Sequence, residues 1–550
     1  MTDQSKPTEW TGAWVAAILT APLLAVLFAA AQWVGTPFVP FDVFDWMGRV
    51  LPGPLITFGI DSIVAVIRAF DLGSTSSTAK LAEQIMAVAG LFVTNAIAGA
   101  LLYAVLRRRP SITTSLMPGI ITGLAVGLPV ALITLAVNLN ATQPPFVNAL
   151  WILLTFAAWG IALSVVYFRL QATAPAAGTA PNSLEAIDRR NFIVRLGTAT
   201  AAVTVVGAGL GSVLNTGTST NPQPQAASTD LESPTSPWSA SNTLPNANDP
   251  LIPAAGTRPE LTPLAEHYRI DINTVPPTIR ESDWLLTFTG LVDEPVEMTL
   301  ADLKSNYEPL HQFVTLSCIS NYIAGDLIGT TRWTGASLRD VLADVPLKPT
   351  AKYLKITAAD NFDEFIDLKT VFDDPRVMLT YAWDGLPLEV KHGFPLRIYI
   401  PDHFGMKQPK WITSIEAVEE WQEGWWVRRG WDPNAYMRAT SVIDTVAVSD
   451  TFTAEDGQQF VPVGGIAHAG DRGISKVEVQ VDDGEWVEAQ LRQPLSETTW
   501  VIWRYDWPFQ SGNHKFSVRC TESNGTAQNP NPAGSRPSGA TGIHSVFQSV

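Results

Sequence analysis

The chain has 550 residues, 46% of them hydrophobic and 16% charged, and a formal net charge of −16. That length exceeds one compact domain, and an acidic surface excludes nucleic acid as a partner, because phosphate contacts need a basic one. The two cysteines, Cys318 and Cys520, exclude a disulfide-rich scaffold and allow at most a single bridge in an exported protein.

The apolar excess lies in residues 1–214, which read as a transmembrane helical region. Trp10–Val34, Ile85–Leu106, Met117–Leu139 and Phe146–Leu170 are long runs of the kind that cross a bilayer, and Asn191–Leu214 is a fifth, rich in small residues. Leu51–Phe70 carries Pro52, Pro54, Asp61 and Arg68, and charges are expensive in lipid, so it is expected to be an interfacial or re-entrant amphipathic helix. Arg107–Arg109 and Arg189–Arg190 place two loops in the cytoplasm. The carboxy-terminal half is then extracytoplasmic. The stretch from Asp188 to Arg195, before the last apolar run, resembles a twin-arginine export signal; it also suits ordinary positive-inside charges. Gly207–Gly211 lies inside an apolar span, where small residues serve helix packing. His267 is the first histidine, so paired histidines cannot hold a haem between these helices.

Residues 215–258, rich in Ser, Thr, Pro, Asn and Gln, read as a flexible linker. From 259 to 440 short strands and helices mix, predicting an α+β domain. Trp284–Gly290, Phe313–Leu316, Tyr353–Ala358 and Leu396–Ile400 are its strands, and Thr299–Leu303 and Ser337–Leu342 its short helices. From 441 to 550, strand-like runs at Phe460–His468, Ile474–Val481, Trp486–Gln490, Thr499–Tyr505 and His514–Cys520 alternate with turn residues, the pattern of a β-sandwich.

Cys318 stands at the end of a predicted strand, and Cys520 on a sandwich strand suits a small buried hydrophobe. Arg397, Lys407 and Lys410 cluster on a strand and its following loop in an otherwise acidic chain. Arginine binds phosphate in a bidentate manner and lysine adds a point charge. A cysteine facing such a patch would have a lowered pKa and be a soft-metal ligand. Scattered surface charges are the plainer account of any single lysine. A zinc site from Cys318, His392 and His403 is a further reading, though it lacks close-spaced ligand pairs.

Several motifs in order resemble the sulfite oxidase family of molybdopterin enzymes. They are Leu316-Ser-Cys-Ile-Ser-Asn-Tyr322, Gly325-Asp-Leu-Ile-Gly329, Arg332–Leu342, His392-Gly-Phe-Pro-Leu-Arg397, and Gly405-Met-Lys407 with Lys410-Trp411. The resemblance runs from about Leu261 to the end, and the last hundred residues are similar to that family's immunoglobulin-like dimerisation domain. It implies that Cys318 ligates molybdenum, and that His392, Arg397, Gln408 and Lys410 bind the pterin and its phosphate. Tyr268 and Arg269 would contact the pterin, and Tyr322 and Arg332 would line the substrate pocket beside Cys318. The implied protein is a membrane-anchored oxidoreductase that moves an oxygen atom to or from a small molecule. It would exchange electrons with a separate cytochrome or quinone-linked carrier, and a homodimer through the last domain is possible. Ile319–Ile323 lack the arginines that follow the cysteine in vertebrate and plant sulfite oxidases, which leaves sulfite-like and sulfoxide-like substrates both open. A membrane-anchored binding or transport-associated module that has lost the cofactor is the alternative.

Overall fold

The computed structural model describes residues 6–109, 115–172, 196–205 and 236–550. These form two compact units. One lies within Met1–Leu51, Ala79–Pro222 and Ile272–Thr278, the other within Pro52–Thr78, Gln223–Asp271 and Ile279–Val550.

The first unit is helical. Its helices are α1 (Glu9–Val34), α2 (Val39–Val50), most of α4 (Thr75–Arg108), α5 (Met117–Val137), α6 (Pro145–Ala172) and the short α7 (Leu196–Val205); α3 (Gly53–Ala69) belongs to the other unit. Thr8 caps α1 by accepting from the Thr11 amide at 3.2 Å, and left-handed Gly35 ends it. Among the described residues α1, α4, α5 and α6 are long and apolar enough to cross a membrane, matching the first four expected spans. Of the fifth, only the ten residues of α7 are described; the double arginine at 189–190 and Gly207–Gly211 lie outside the described residues. Helix α4 starts ten residues before its expected span because Thr75–Gln84 is polar yet helical. Glycines set the spacing of α5 and α6: a Cβ on Gly119 would come within 2.2 Å of the Gly160 carbonyl oxygen. The segment Ile272–Thr278 is strapped to this unit by buried polar contacts. Thr274 donates its amide to Asp45 at 2.8 Å, and Lys80 donates to the Asn273 carbonyl at 3.0 Å.

The second unit contains the α+β fold. One mixed five-stranded sheet has Leu286–Gly290 parallel to Ile412–Val418, flanked by Val296–Met298, Tyr353–Ala358 and Asp363–Asp367. A second sheet is antiparallel: Leu310–Ser317, Ile328–Ser337 and Met378–Trp383, with Leu386–Pro387 and Arg397–Tyr399 beside the last. Leu286, Leu303, Val341, Ile356 and Ile398 close the core between these elements.

From Thr440 the chain forms two further antiparallel sheets. Thr440–Val446, Gln459–His468, Val501–Pro508 and Gln490–Leu491 make one; Trp486–Glu488, Ile474–Val481, Asn513–Glu522 and His544–Ser549 make the other. Val463, Trp503, Val479, Phe516 and Cys520 from both share one core. A loop of this region pins the strand that leads to Cys318: Thr315 donates its amide to the Thr498 carbonyl at 3.0 Å, and Trp500 donates its amide to the Thr315 hydroxyl at 2.8 Å.

The expected flexible linker needs correction over 236–258; residues 215–235 lie outside the described residues. Trp238 donates its amide to the Asp384 carbonyl at 2.6 Å and Ser239 its hydroxyl to the Asp384 carboxylate at 2.6 Å. Arg492 donates to the carbonyls of Asn246 at 3.0 Å and Leu251 at 2.6 Å. This stretch is held on the soluble fold.

Candidate functional site

The strand Leu310–Ser317 ends one residue before Cys318, as expected. The chain then turns back: Cys318 donates its amide to Leu327 at 2.9 Å, and its own carbonyl accepts from Asn321 at 3.0 Å. The thiol is buried, unbridged, and 2.9 Å from the Ser320 hydroxyl. Burial raises its pKa. The expected lowering by nearby cations is thereby corrected: removing the thiolate from water outweighs what surrounds it.

Side chains from four segments meet in the same buried cluster as Cys318. From 267–271 come His267 and Tyr268, with rings stacked 5.5 Å apart. Trp333 and Trp383, from neighbouring strands, lie 6.0 and 5.5 Å from His267. His392 ends a 3-10 turn and approaches to 5.8 Å from His267 and 4.4 Å from Trp383. Tyr268, Trp333 and Trp383 pack in one core with Cys318. Gly393 takes φ 116°, and a Cβ there would sit 3.2 Å from both Arg397 and Lys410, so the turn needs glycine to bring His392 and these cations together.

The electrostatics are lopsided. Arg397 is buried; its guanidinium donates to the His392 carbonyl at 3.1 Å and lies 4.7 Å from the Trp333 ring centroid. Its pKa falls to about 10 through burial. Lys410 donates to Asp271 at 3.2 Å and to the Lys391 carbonyl at 3.1 Å, and burial lowers it to about 8. Arg269 shares the same Asp271, at 2.7 Å. Two cations thus share one carboxylate, and Arg397 adds a third positive charge nearby. Burial and the neighbouring cations hold His392 well below its usual pKa, and His267 falls to about 3. Among the described residues Nε2 of His392 and Nε1 of Trp333 are buried without a hydrogen-bond partner, and the ring nitrogens of His267 have no partner in good geometry. Buried polar atoms are normally paired, and an excess buried cation is costly, so this arrangement fits an anionic, hydrogen-bonding group.

The structure brings together Cys318, Tyr268, Arg269, His392, Arg397 and Lys410 of the expected site residues. It leaves out the others. Gln408 commits its amide to the carbonyls of Ile400 at 3.2 Å and His403 at 2.8 Å. Lys407 is bound to Glu364 at 2.6 Å, so it is no part of the cationic patch. Arg332 points to the opposite face of its strand from Trp333 and lies 4.7 Å from the Trp238 ring centroid. Tyr322 sits outside the buried cluster, under Arg68. His403 bonds the Pro401 carbonyl at 2.7 Å and packs on Tyr436, so it does not join Cys318 and His392 as a zinc ligand. Among the described residues no three His, Cys, Asp or Glu side chains converge as a metal site. Reading the sequence missed His267, Trp333 and Trp383. The signal for His267 was its place beside Tyr268.

A buried cluster with one thiol, an excess of cations and unpaired imidazole and indole nitrogens suits an anionic metal cofactor. Residues 272–426 match the family model described as the oxidoreductase molybdopterin binding domain. The chain is 25% identical over 284 residues to the sulfite oxidase of Arabidopsis thaliana, an alignment covering 42% of this chain and 70% of that protein. It is 27% identical over 221 residues to human mitochondrial sulfite oxidase, covering 35% and 41%. To the NADPH nitrate reductase of Fusarium oxysporum it is 27% identical over 257 residues, covering 38% and 28%. The chain thus spans well under half of the human and fungal relatives it matches. Residues 272–426 are thus a molybdopterin-binding oxidoreductase domain similar to that of sulfite oxidases, and the cofactor is molybdopterin.

Proposed function

We propose that this chain is a membrane-anchored, molybdenum-dependent oxidoreductase that transfers an oxygen atom to or from a small sulfite-like or sulfoxide-like molecule. The observation that carries the reading is the joining of the Cys318 thiol to a buried cluster with excess positive charge and unpaired histidine and tryptophan nitrogens. Bound there, the cofactor supplies the oxygen-atom and two-electron chemistry. The protein does the rest. Cys318 would hold the metal, giving up its proton on binding. Arg397 and Lys410 would neutralise the cofactor's phosphate, and His267, His392 and Trp333 would offer hydrogen bonds that fix its orientation. Burial keeps both imidazoles neutral, so each has one donor and one acceptor to offer.

The four apolar helices anchor the chain, with the Arg107–Arg109 loop in the cytoplasm and the soluble unit outside. A cytochrome or quinone-linked carrier exchanges the electrons. The paired sheets after Thr440 serve as an immunoglobulin-like domain through which two chains could associate. Metal analysis of the purified full-length protein tests the reading: wild type retains stoichiometric molybdenum and Cys318→Ser does not. Wild-type protein free of molybdenum, or undiminished activity in Cys318→Ser, contradicts it.

A further inference from the structure

Helix α3 carries apolar residues on two sides: along one, Ile56, Ile60, Ile63 and Val64 are half-buried and Ile67 is buried. Leu55, Phe58, Val66 and Phe70 are exposed. The charged residues engage the soluble fold: Asp61 pairs with Arg536, and the Arg68 guanidinium lies 4.6 Å from the centroid of the Tyr322 ring. At the start of the helix, a Cβ on Gly53 would come within 2.7 Å of the Arg429 carbonyl oxygen. The docked side of the helix is thus both apolar and polar: the covered isoleucines lie beside the contacts made by Asp61 and Arg68. Among the described residues Arg68 makes no ion pair, so its charge is spent on the aromatic ring.

Tyr322 belongs to the loop that starts at Cys318. The loop is closed at its base, where Cys318 donates to Leu327 at 2.9 Å and Leu327 donates to the Asn321 side chain at 3.0 Å. At its far side Asp326 accepts from the Thr75 amide at 2.7 Å, the first residue of α4. Ala324, between the two grips, has a left-handed φ of 61°. The loop is thus held from outside at Tyr322 and at Asp326. A groove of ≈ 440 Å³ runs along these contacts, lined by Ile67, Arg68, Asp71, Tyr322, Asp326 and Leu327.

We infer that Arg68 is a positioning residue: by holding Tyr322 it fixes the loop that begins at Cys318. The inference rests on Cys318 being the metal ligand proposed above. Hydrogen–deuterium exchange of the full-length protein in detergent, with molybdenum content measured alongside, tests it. Arg68→Ala retains wild-type molybdenum while amides of the 318–327 segment exchange about fivefold faster, the scale of one exposed cation–π contact. Arg68→Lys restores most of the protection, because an ammonium group can also sit on the ring. Tyr322→Leu speeds exchange by the same amount, and Arg68→Ala adds nothing to it. Unchanged exchange in Arg68→Ala, or additive effects in the double variant, overturns the inference. Wild-type protein lacking molybdenum overturns the underlying reading of Cys318 and leaves the Arg68 contact standing.

Discussion

Cys318 and Cys520 are both buried, at 5% and 2% exposure, and burial raises both thiols, Cys520 to about 12. Their surroundings differ. Cys520 lies among Val477, Val479, Phe516 and Val518, and its thiol donates to Gln528 at 3.2 Å. Gln528 in turn accepts from Ser441 at 2.7 Å and donates to the Gly542 carbonyl at 2.7 Å, so that polar network is complete. Around Cys318, the rings of His267, His392 and Trp333 keep buried nitrogens without partners, and Arg397 has no carboxylate beside it. Burial alone does not separate a ligand from a core residue. What separates them is that unpartnered imidazole nitrogens and buried cations gather around Cys318, whereas the Cys520 thiol is tied into the Gln528 network.

The sharpest way to break that comparison is to change each cysteine to serine. Cys318→Ser is expected to abolish molybdenum retention and turnover. Cys520→Ser should keep both and lose about 1–2 kcal/mol of stability by thermal unfolding. Equal losses in the two variants would mean that the surroundings do not matter. Next in size is Arg397→Met, which removes the buried cation that lacks a carboxylate. Cofactor retention should fall about 100-fold in dilution assays, the scale of a lost charge-assisted contact, while the fold survives because a buried charge has been removed.

A pH effect probes the second soluble region. His468 is buried and neutral, its pKa pushed down to about 4 by burial and by the charge of Arg472. Between pH 6.5 and 4 the unfolded chain binds a proton there that the folded chain does not, so stability falls as the pH drops through that window. The contribution is on the order of 2–3 kcal/mol, and His468→Gln should flatten the slope of melting temperature against pH by about one proton. The smallest effect is expected for Arg332→Gln. Its guanidinium lies on Trp238, on the far face of its strand, so turnover should stay within about twofold of wild type. A large loss of kcat would return Arg332 to the substrate pocket.

The α+β pattern and the position of Cys318 were legible because a strand ending in a lone cysteine has local signals. So was Arg397, in a turn that leads straight into a strand. Lys407 and Lys410 were not separable by sequence. They stand three residues apart, and the partner that removes Lys407, Glu364, lies 43 residues upstream. Arg332 was expected beside the cysteine and Trp333 was given no role, because strand alternation gives two faces without saying which one looks at the cysteine. Trp238 was the overlooked mark in the linker: its ring packs 5.7 Å from Phe313, and so large an apolar surface is rarely left in water. The strand His544–Ser549 also went unread. Its adjacent Val546 and Phe547 break the alternation, and Phe547 is 79% exposed.

X-ray absorption at the molybdenum edge of the purified protein tests the central claim most directly. Wild type and Cys520→Ser should give the same sulfur shell around the metal, and any molybdenum that Cys318→Ser still holds should have lost one sulfur from it. A sulfur shell unchanged in Cys318→Ser, or lost in Cys520→Ser, would contradict the account.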